Sequence, residues 1–148
     1  MINIKPVKQS KGYCGPASFK MILDYYGLNY SQEKLAKLTK TTRDKGCDEE
    51  NIMKIAKKLG FKAYIKQNAS VKELRSLINK NIPVIVDWFS PEQAGHYSVV
   101  VGFNKNKIKL ADPHFGKIVS RDIDWFEERW FDVVSERLIK KEIIVIER

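Results

Sequence analysis

The sequence has 148 residues, of which 43% are hydrophobic and 30% charged, and its formal charge is +9. That length and balance suit one soluble globular domain over residues 1–148 and exclude a disordered or fibrous chain. No stretch approaches the roughly 18 apolar residues that span a bilayer, so no transmembrane segment is expected. The opening "MINIKPVKQSKGY" lacks the apolar core of a signal peptide, so a cytoplasmic location is expected.

The lysines are spread along "KLAKLTK", "KIAKKLGFK", "NKNKIK" and "IKKE", which reads as solvated faces. There is no interleaved aromatic–basic motif, so a nucleic-acid partner is not expected. Cys14 and Cys47 make no disulfide scaffold. The Cys and His spacings match no zinc pattern, so neither a metal nor another cofactor is expected.

In chain order, residues 1–13 read as an extended lead-in. Residues 14–26, "CGPASFKMILDYY", read as a helix on the 3.6-residue stripe of Ala17, Met21, Ile22, Tyr25 and Tyr26. Pro16 suits its first turn, where a missing N–H costs nothing, and Gly27 stops it. Ser31 opens a second helix, "QEKLAKLTK", followed by the loop "TTRDKGCD". Asp48 caps "EENIMKIAKKL", which Gly60 closes. "FKAYIK" (61–66) alternates as a strand. Ser70-Val71-Lys72-Glu73 is a capping box that starts a helix through Asn79.

"IPVIVDW" (82–88) reads as a buried strand, and "SPEQAG" as a loop. "HYSVVVGF" (96–103) and "KIKLAD" (107–112) form a predicted hairpin joined at Asn104-Lys105-Asn106. A three-residue loop pairs Phe103 with Lys107, Val100 with Leu110 and Ser98 with Asp112. His96 and Asp112 then share a face, whereas a two- or four-residue loop separates them. Asn106 suits the left-handed conformation such a loop needs. "DIDWFEERWF" (122–131) reads as a short helix whose Trp125, Phe126 and Trp130 face the core, and "EIIVIE" (142–147) as a last strand. Helices come first and strands follow, which gives an α+β class.

Cys14 stands at the predicted helix start, where about half a positive charge and unpaired N–H groups favour a thiolate. A nucleophilic cysteine needs a base, and the base needs an orienting group. The two histidines are His96 and His114. His96 can meet Asp112 across the hairpin, whereas His114 lies in the turn "DPHFG" and reads as a cleft-rim residue. An oxyanion also needs donors. Gln9, five residues before Cys14, can turn its side-chain amide back beside the thiol, and the Cys14 N–H can be the second donor. Each residue has a plainer alternative. Cys14 can be a small buried hydrophobe, His96 a solvated strand end, Asp112 the end of a strand at an Asp-Pro turn, and Gln9 an exposed polar residue. Cys47 reads as a non-catalytic loop thiol.

"VKQSKGYCGPASFKMILDYYG", "GHYSVVVGFNKNKIKLADPHFGK" and "DWFEERW" together resemble the bacteriocin-processing, double-glycine-leader class of cysteine peptidases, and specifically its standalone members. The resemblance runs in order over about residues 4–131. It implies a papain-like fold with N-terminal helices packed on a C-terminal antiparallel sheet. It also implies Cys14 as nucleophile, His96 as general base and acid, Asp112 as orienter and Gln9 as the oxyanion-hole side chain. The reaction implied is attack of a thiolate on an amide carbonyl, an acyl-thioester intermediate and hydrolysis by water. The Gln-to-Cys spacing of five is one shorter than in many relatives. No membrane or ATP-binding domain is expected within these residues, and the tail "SERLIKKEIIVIER" is longer and more charged than the resemblance leads one to expect. A peptide or protein is the expected partner. Two other uses of the same residues stay open: a peptide-binding module without hydrolysis, and acyl or peptidyl transfer to an amine.

Overall fold

The computed structural model describes residues 1–148. Four helices fall where the sequence places them: α1 (Cys14–Tyr25), α2 (Gln32–Leu38), α3 (Glu49–Lys58) and α4 (Val71–Asn79). The caps of three are made by side chains. Ser31 Oγ accepts from Lys34 N, Asp48 Oδ1 from Glu50 N, and Ser70 Oγ from Glu73 N; each such cap is worth about 1 kcal/mol. The cap of α1 is different. Tyr13 precedes it and supplies no side-chain hydrogen bond.

A six-stranded antiparallel sheet runs in the order β1–β8–β2–β3–β4–β5. Its strands are β1 (Lys62–Lys66), β2 (Val84–Ser90), β3 (Ala94–Asn104), β4 (Lys107–Asp112), β5 (Lys117–Asp122) and β8 (Glu142–Glu147). The helix α5 (Ile123–Glu128) follows β5, and a separate hairpin of β6 (Phe131–Val134) and β7 (Arg137–Lys140) precedes β8. The final strand returns to the middle of the sheet between β1 and β2, where Ile143, Ile144, Val145 and Ile146 are buried. They join one cluster of 32 buried residues that includes Phe19, Met21 and Ile22 of α1, Ile52 of α3 and Leu74 of α4.

Several elements depart from the sequence reading. The strand β5 and the β6–β7 hairpin were not expected, and α5 stops three residues short of Phe131. The expected 82–88 strand lies at 84–90. A further departure is in the β3–β4 hairpin. Its loop has two residues, since Asn104 pairs with Lys107 and Phe103 with Ile108, and the positive φ falls on Lys105 (54°) rather than Asn106. A two-residue loop would put His96 and Asp112 on opposite faces. A bulge between Val100 and Gly102 cancels the shift, so that Val100 pairs with Leu110 and Val99 with Ala111. The expected register beyond the bulge is therefore recovered by a different route. The extra residue is Val101, whose carbonyl accepts from Ile2 N at 2.7 Å. The N-terminal segment thus supplies the partner that a bulged backbone group lacks.

Candidate active site

Strand alternation sorts the side chains of β2 and β3 into two sets. Trp88 pairs with His96, and Asp87 with Tyr97. Continuing the β3–β4 register sets Ser98 opposite Asp112, so Trp88, His96, Ser98 and Asp112 share one face. There His96 Nε2 meets Asp112 Oδ1 at 2.7 Å, with both side chains fully buried. Asp112 Oδ1 also accepts from His114 N at 2.9 Å, which fixes the carboxylate through the Asp-Pro turn. Behind the imidazole stands Trp88, with ring centroids 6.1 Å apart, and Trp88 Nε1 donates to Ser98 Oγ at 3.0 Å. Trp125 and Phe126 pack on Trp88, so the aromatic run of α5 forms the wall behind the histidine.

The second ring nitrogen, His96 Nδ1, is buried and meets no nitrogen or oxygen partner. Cys14 is close enough to act on the ring. Burial alone would lower the basicity of His96. Hydrogen bonding to Asp112 and Cys14, and the charges of both, outweigh it and raise the imidazole to about 9. Cys14 is the first residue of α1, and Ala17 makes the first intrahelical bond, to Tyr13 O. With no side-chain cap and no N–H on Pro16, the Cys14 and Gly15 amides are the donors left at this helix end. Gly15 is fixed by packing, because a Cβ there would collide with the Cys47 side chain. Cys47, the non-catalytic loop thiol of the sequence reading, thus has a packing partner. It lies against the helix start, Tyr97 Oη donates to its carbonyl at 3.1 Å, and burial pushes its thiol up to about 11.

Gln9 is held by its backbone. Gln9 N donates to Pro113 O at 2.8 Å, next to Asp112. Gln32, the first residue of α2, clamps both neighbours. Its Nε2 donates to Lys8 O at 2.7 Å, and its Oε1 accepts from Ser10 N at 3.0 Å. Gln9 Nε2 makes one bond, to Gln93 Oε1 at 3.3 Å, and keeps a second N–H uncommitted. The structure thus gathers Cys14, His96 and Asp112, and ties Gln9 to the turn after Asp112. It adds Gln32, Trp88 and Ser98, which no motif marks. A concavity of about 770 Å³ lies elsewhere, between the start of α4 and the β6–β7 hairpin, and includes none of these residues.

The model of the family described as "Peptidase C39 family" matches residues 3–137. The chain belongs to the peptidase C39 family. It is a cysteine-type peptidase of papain-like fold. It is 34% identical to the transport/processing ATP-binding protein ComA of Streptococcus pneumoniae R6 over 122 residues, 81% of this chain. The match spans only 16% of that relative's length. The crystal structure of the peptidase domain of Streptococcus ComA superposes with a TM-score of 0.80 at 27% identity, covering 98% of each chain. A protein of Methanothermobacter thermautotrophicus of similar size is 28% identical over 144 residues, 96% of this C39 chain and 87% of its own.

Proposed function

We propose that residues 1–148 act as one papain-like unit that hydrolyses an amide bond in a peptide or protein, with Cys14, His96, Asp112 and Gln9 carrying the reaction. The observation that supports this most is the fully buried His96–Asp112 pair at 2.7 Å beside a cysteine at an uncapped helix N-terminus. Asp112 holds Nε2, which leaves Nδ1 for the thiol. With the imidazole raised to about 9, His96 is protonated at neutral pH and can balance a Cys14 thiolate.

The thiolate attacks the carbonyl carbon, and the carbonyl π electrons move to oxygen. The Cys14 N–H and the free N–H of Gln9 Nε2 are the donors for that oxyanion; each such donor is worth about 3 kcal/mol. As the oxyanion collapses, the C–N bond breaks and the imidazolium gives its Nδ1 proton to the departing amine. An acyl thioester and a neutral imidazole remain. His96 then takes a proton from water, the resulting hydroxide attacks the thioester, and the C–S bond breaks to release the acid and restore the thiolate–imidazolium pair. Asp112 keeps the ring in the tautomer and orientation that both halves need.

Selective alkylation tests the assignment. Iodoacetamide near pH 7 is expected to label Cys14 much faster than Cys47, and His96→Ala is expected to remove the difference. Equal, slow labelling of both thiols overturns it. A peptide-library digest by wild type, absent with Cys14→Ala, tests the hydrolysis itself.

A further inference from the structure

On the sheet face opposite His96 lies a second buried polar group, built from like charges. Asp87 pairs in register with Tyr97 on one side and with Glu142 on the other. Asp87 and Glu142 are 4% and 2% exposed, and Asp87 Oδ1 and Glu142 Oε2 have no hydrogen-bond partner. Two half-buried carboxylates complete the group. Asp132 of β6 reaches Gly95, where a Cβ would stand 2.5 Å from Asp132 Oδ1, and that oxygen accepts from Val133 N. Glu49, at the start of α3, accepts from Tyr97 Oη at 3.2 Å. The residues on either side of His96, Gly95 and Tyr97, therefore touch this group directly.

The chain has 27 Lys and Arg, yet none of its six ion pairs uses Asp87, Asp132, Glu142 or Glu49. Burial and mutual repulsion raise Asp87 to about 10 and Glu142 to about 8. Asp87 and Glu142 therefore keep their protons at neutral pH instead of standing as unpaired buried charges, and a cation brought in from outside would release those protons and take their place as the counter-charge, binding more tightly as pH rises. The carboxylates do not converge as metal ligands. An organic cation carried on a flexible stem suits them better, because Arg and Lys leave their charged heads where fixed acceptors can fork around them.

We propose that Asp87, Asp132, Glu142 and Glu49 form a pocket that takes a basic side chain, Arg or Lys, of a peptide lying along Gly95 and Tyr97, within a few residues of the bond that is cut. The pocket as a cation site stands on the carboxylates alone; its role in specificity rests on the peptidase reading above.

Two experiments separate these. In the first, ¹⁵N-labelled Cys14→Ala protein is titrated with an acetylated, amidated Arg-Gly dipeptide and with its citrulline counterpart, which keeps the shape and loses the charge. The arginine peptide is expected to shift the amides of Gly95, Tyr97 and Asp132 with at least about tenfold tighter binding, since a desolvated charge pair is worth one or more factors of ten. That difference should vanish in Asp132→Asn and in Glu142→Gln, two variants so that one misfolding does not decide the matter. Equal binding of the two peptides overturns the proposal. In the second, wild-type protein digests a random peptide library. Enrichment of Arg and Lys at one position near the cut, collapsing in the same variants, supports the specificity role. Cleavage with no basic preference overturns that role and leaves the peptidase reading standing. No cleavage and an unreactive Cys14 defeat the peptidase reading, while the titration still decides the cation site.

Discussion

Two buried polar groups sit back to back on the same two strands. On one face His96 meets Asp112; on the other Asp87 meets Glu142. Each loses water, and in each burial acts against the charged form. The outcomes differ because of the neighbour. His96 faces opposite charge, so its imidazolium survives burial and becomes a usable acid. Asp87 faces Asp132, Glu142 and Glu49, all carboxyls, so its neighbours add to burial and hold the proton on. One face is complete in itself; the other is complete only with a guest.

The largest expected effect comes from taking the complementary charge away from the first face. Asp112→Ala is expected to lower kcat/KM by about 10²–10³-fold, because an unoriented His is a poor base. It should also move the alkaline limb of the pH–rate profile, expected near 9 in wild type, to lower pH. A variant that keeps both the rate and the limb would break the comparison.

A smaller effect is expected from relieving the second face. For Glu142 the folded value of about 8 exceeds the ordinary 4.5, so the native state holds a proton that the unfolded chain has lost. Stability therefore falls as pH rises from about 4.5 to 8. Asp87 extends the fall toward 10, from an ordinary 3.8. His96 adds in the same direction: its contribution is full below 6.5 and is lost as pH rises through about 9. The fold is thus expected to lose stability from mildly acidic to alkaline pH. Asp87→Asn with Glu142→Gln should flatten much of that slope and raise Tm at pH 9 by roughly 5 °C. An unchanged slope in a thermal-melt series would show that these carboxyls are not desolvated.

The smallest effect concerns the aromatic wall behind the histidine. Trp88→Phe keeps the aromatic packing but leaves Ser98 Oγ without its donor, which should cost about 1–2 kcal/mol in denaturant unfolding. Alkylation of Cys14 should change little. A large loss of Cys14 reactivity would instead mean that Trp88 sets the tilt of His96.

The His96–Asp112 contact was legible because its parts lie in short motifs. Cys14 has a helix start around it, and His96 and Asp112 are ends of adjacent strands. The acidic face was not readable. Its members stand at 49, 87, 132 and 142, and they meet only because β8 inserts beside β2 and the unforeseen β6 reaches Gly95. Both missed elements have physical reasons to be missed. β5, "KIVSRD", is an edge strand without a buried face, and β6–β7 exposes Val133, Val134 and Leu138, so neither carries the apolar alternation that marks a half-buried strand. Gln32 escaped for another reason: its work is done on backbone groups of Lys8 and Ser10, which no side-chain pattern reveals.

The two-residue loop and the bulge at Val101 make the β3–β4 hairpin a parity device. Two single-residue irregularities cancel, and His96 and Asp112 share a face only while both persist. One residue inserted or deleted between Val101 and Asn106 would turn Asp112 away from His96 while leaving every motif intact in the sequence. Two compensating changes would turn it back. Length changes in this hairpin are thus tolerated in pairs. Its partner in that constraint is the N-terminal segment, whose Ile2 holds the bulge in place.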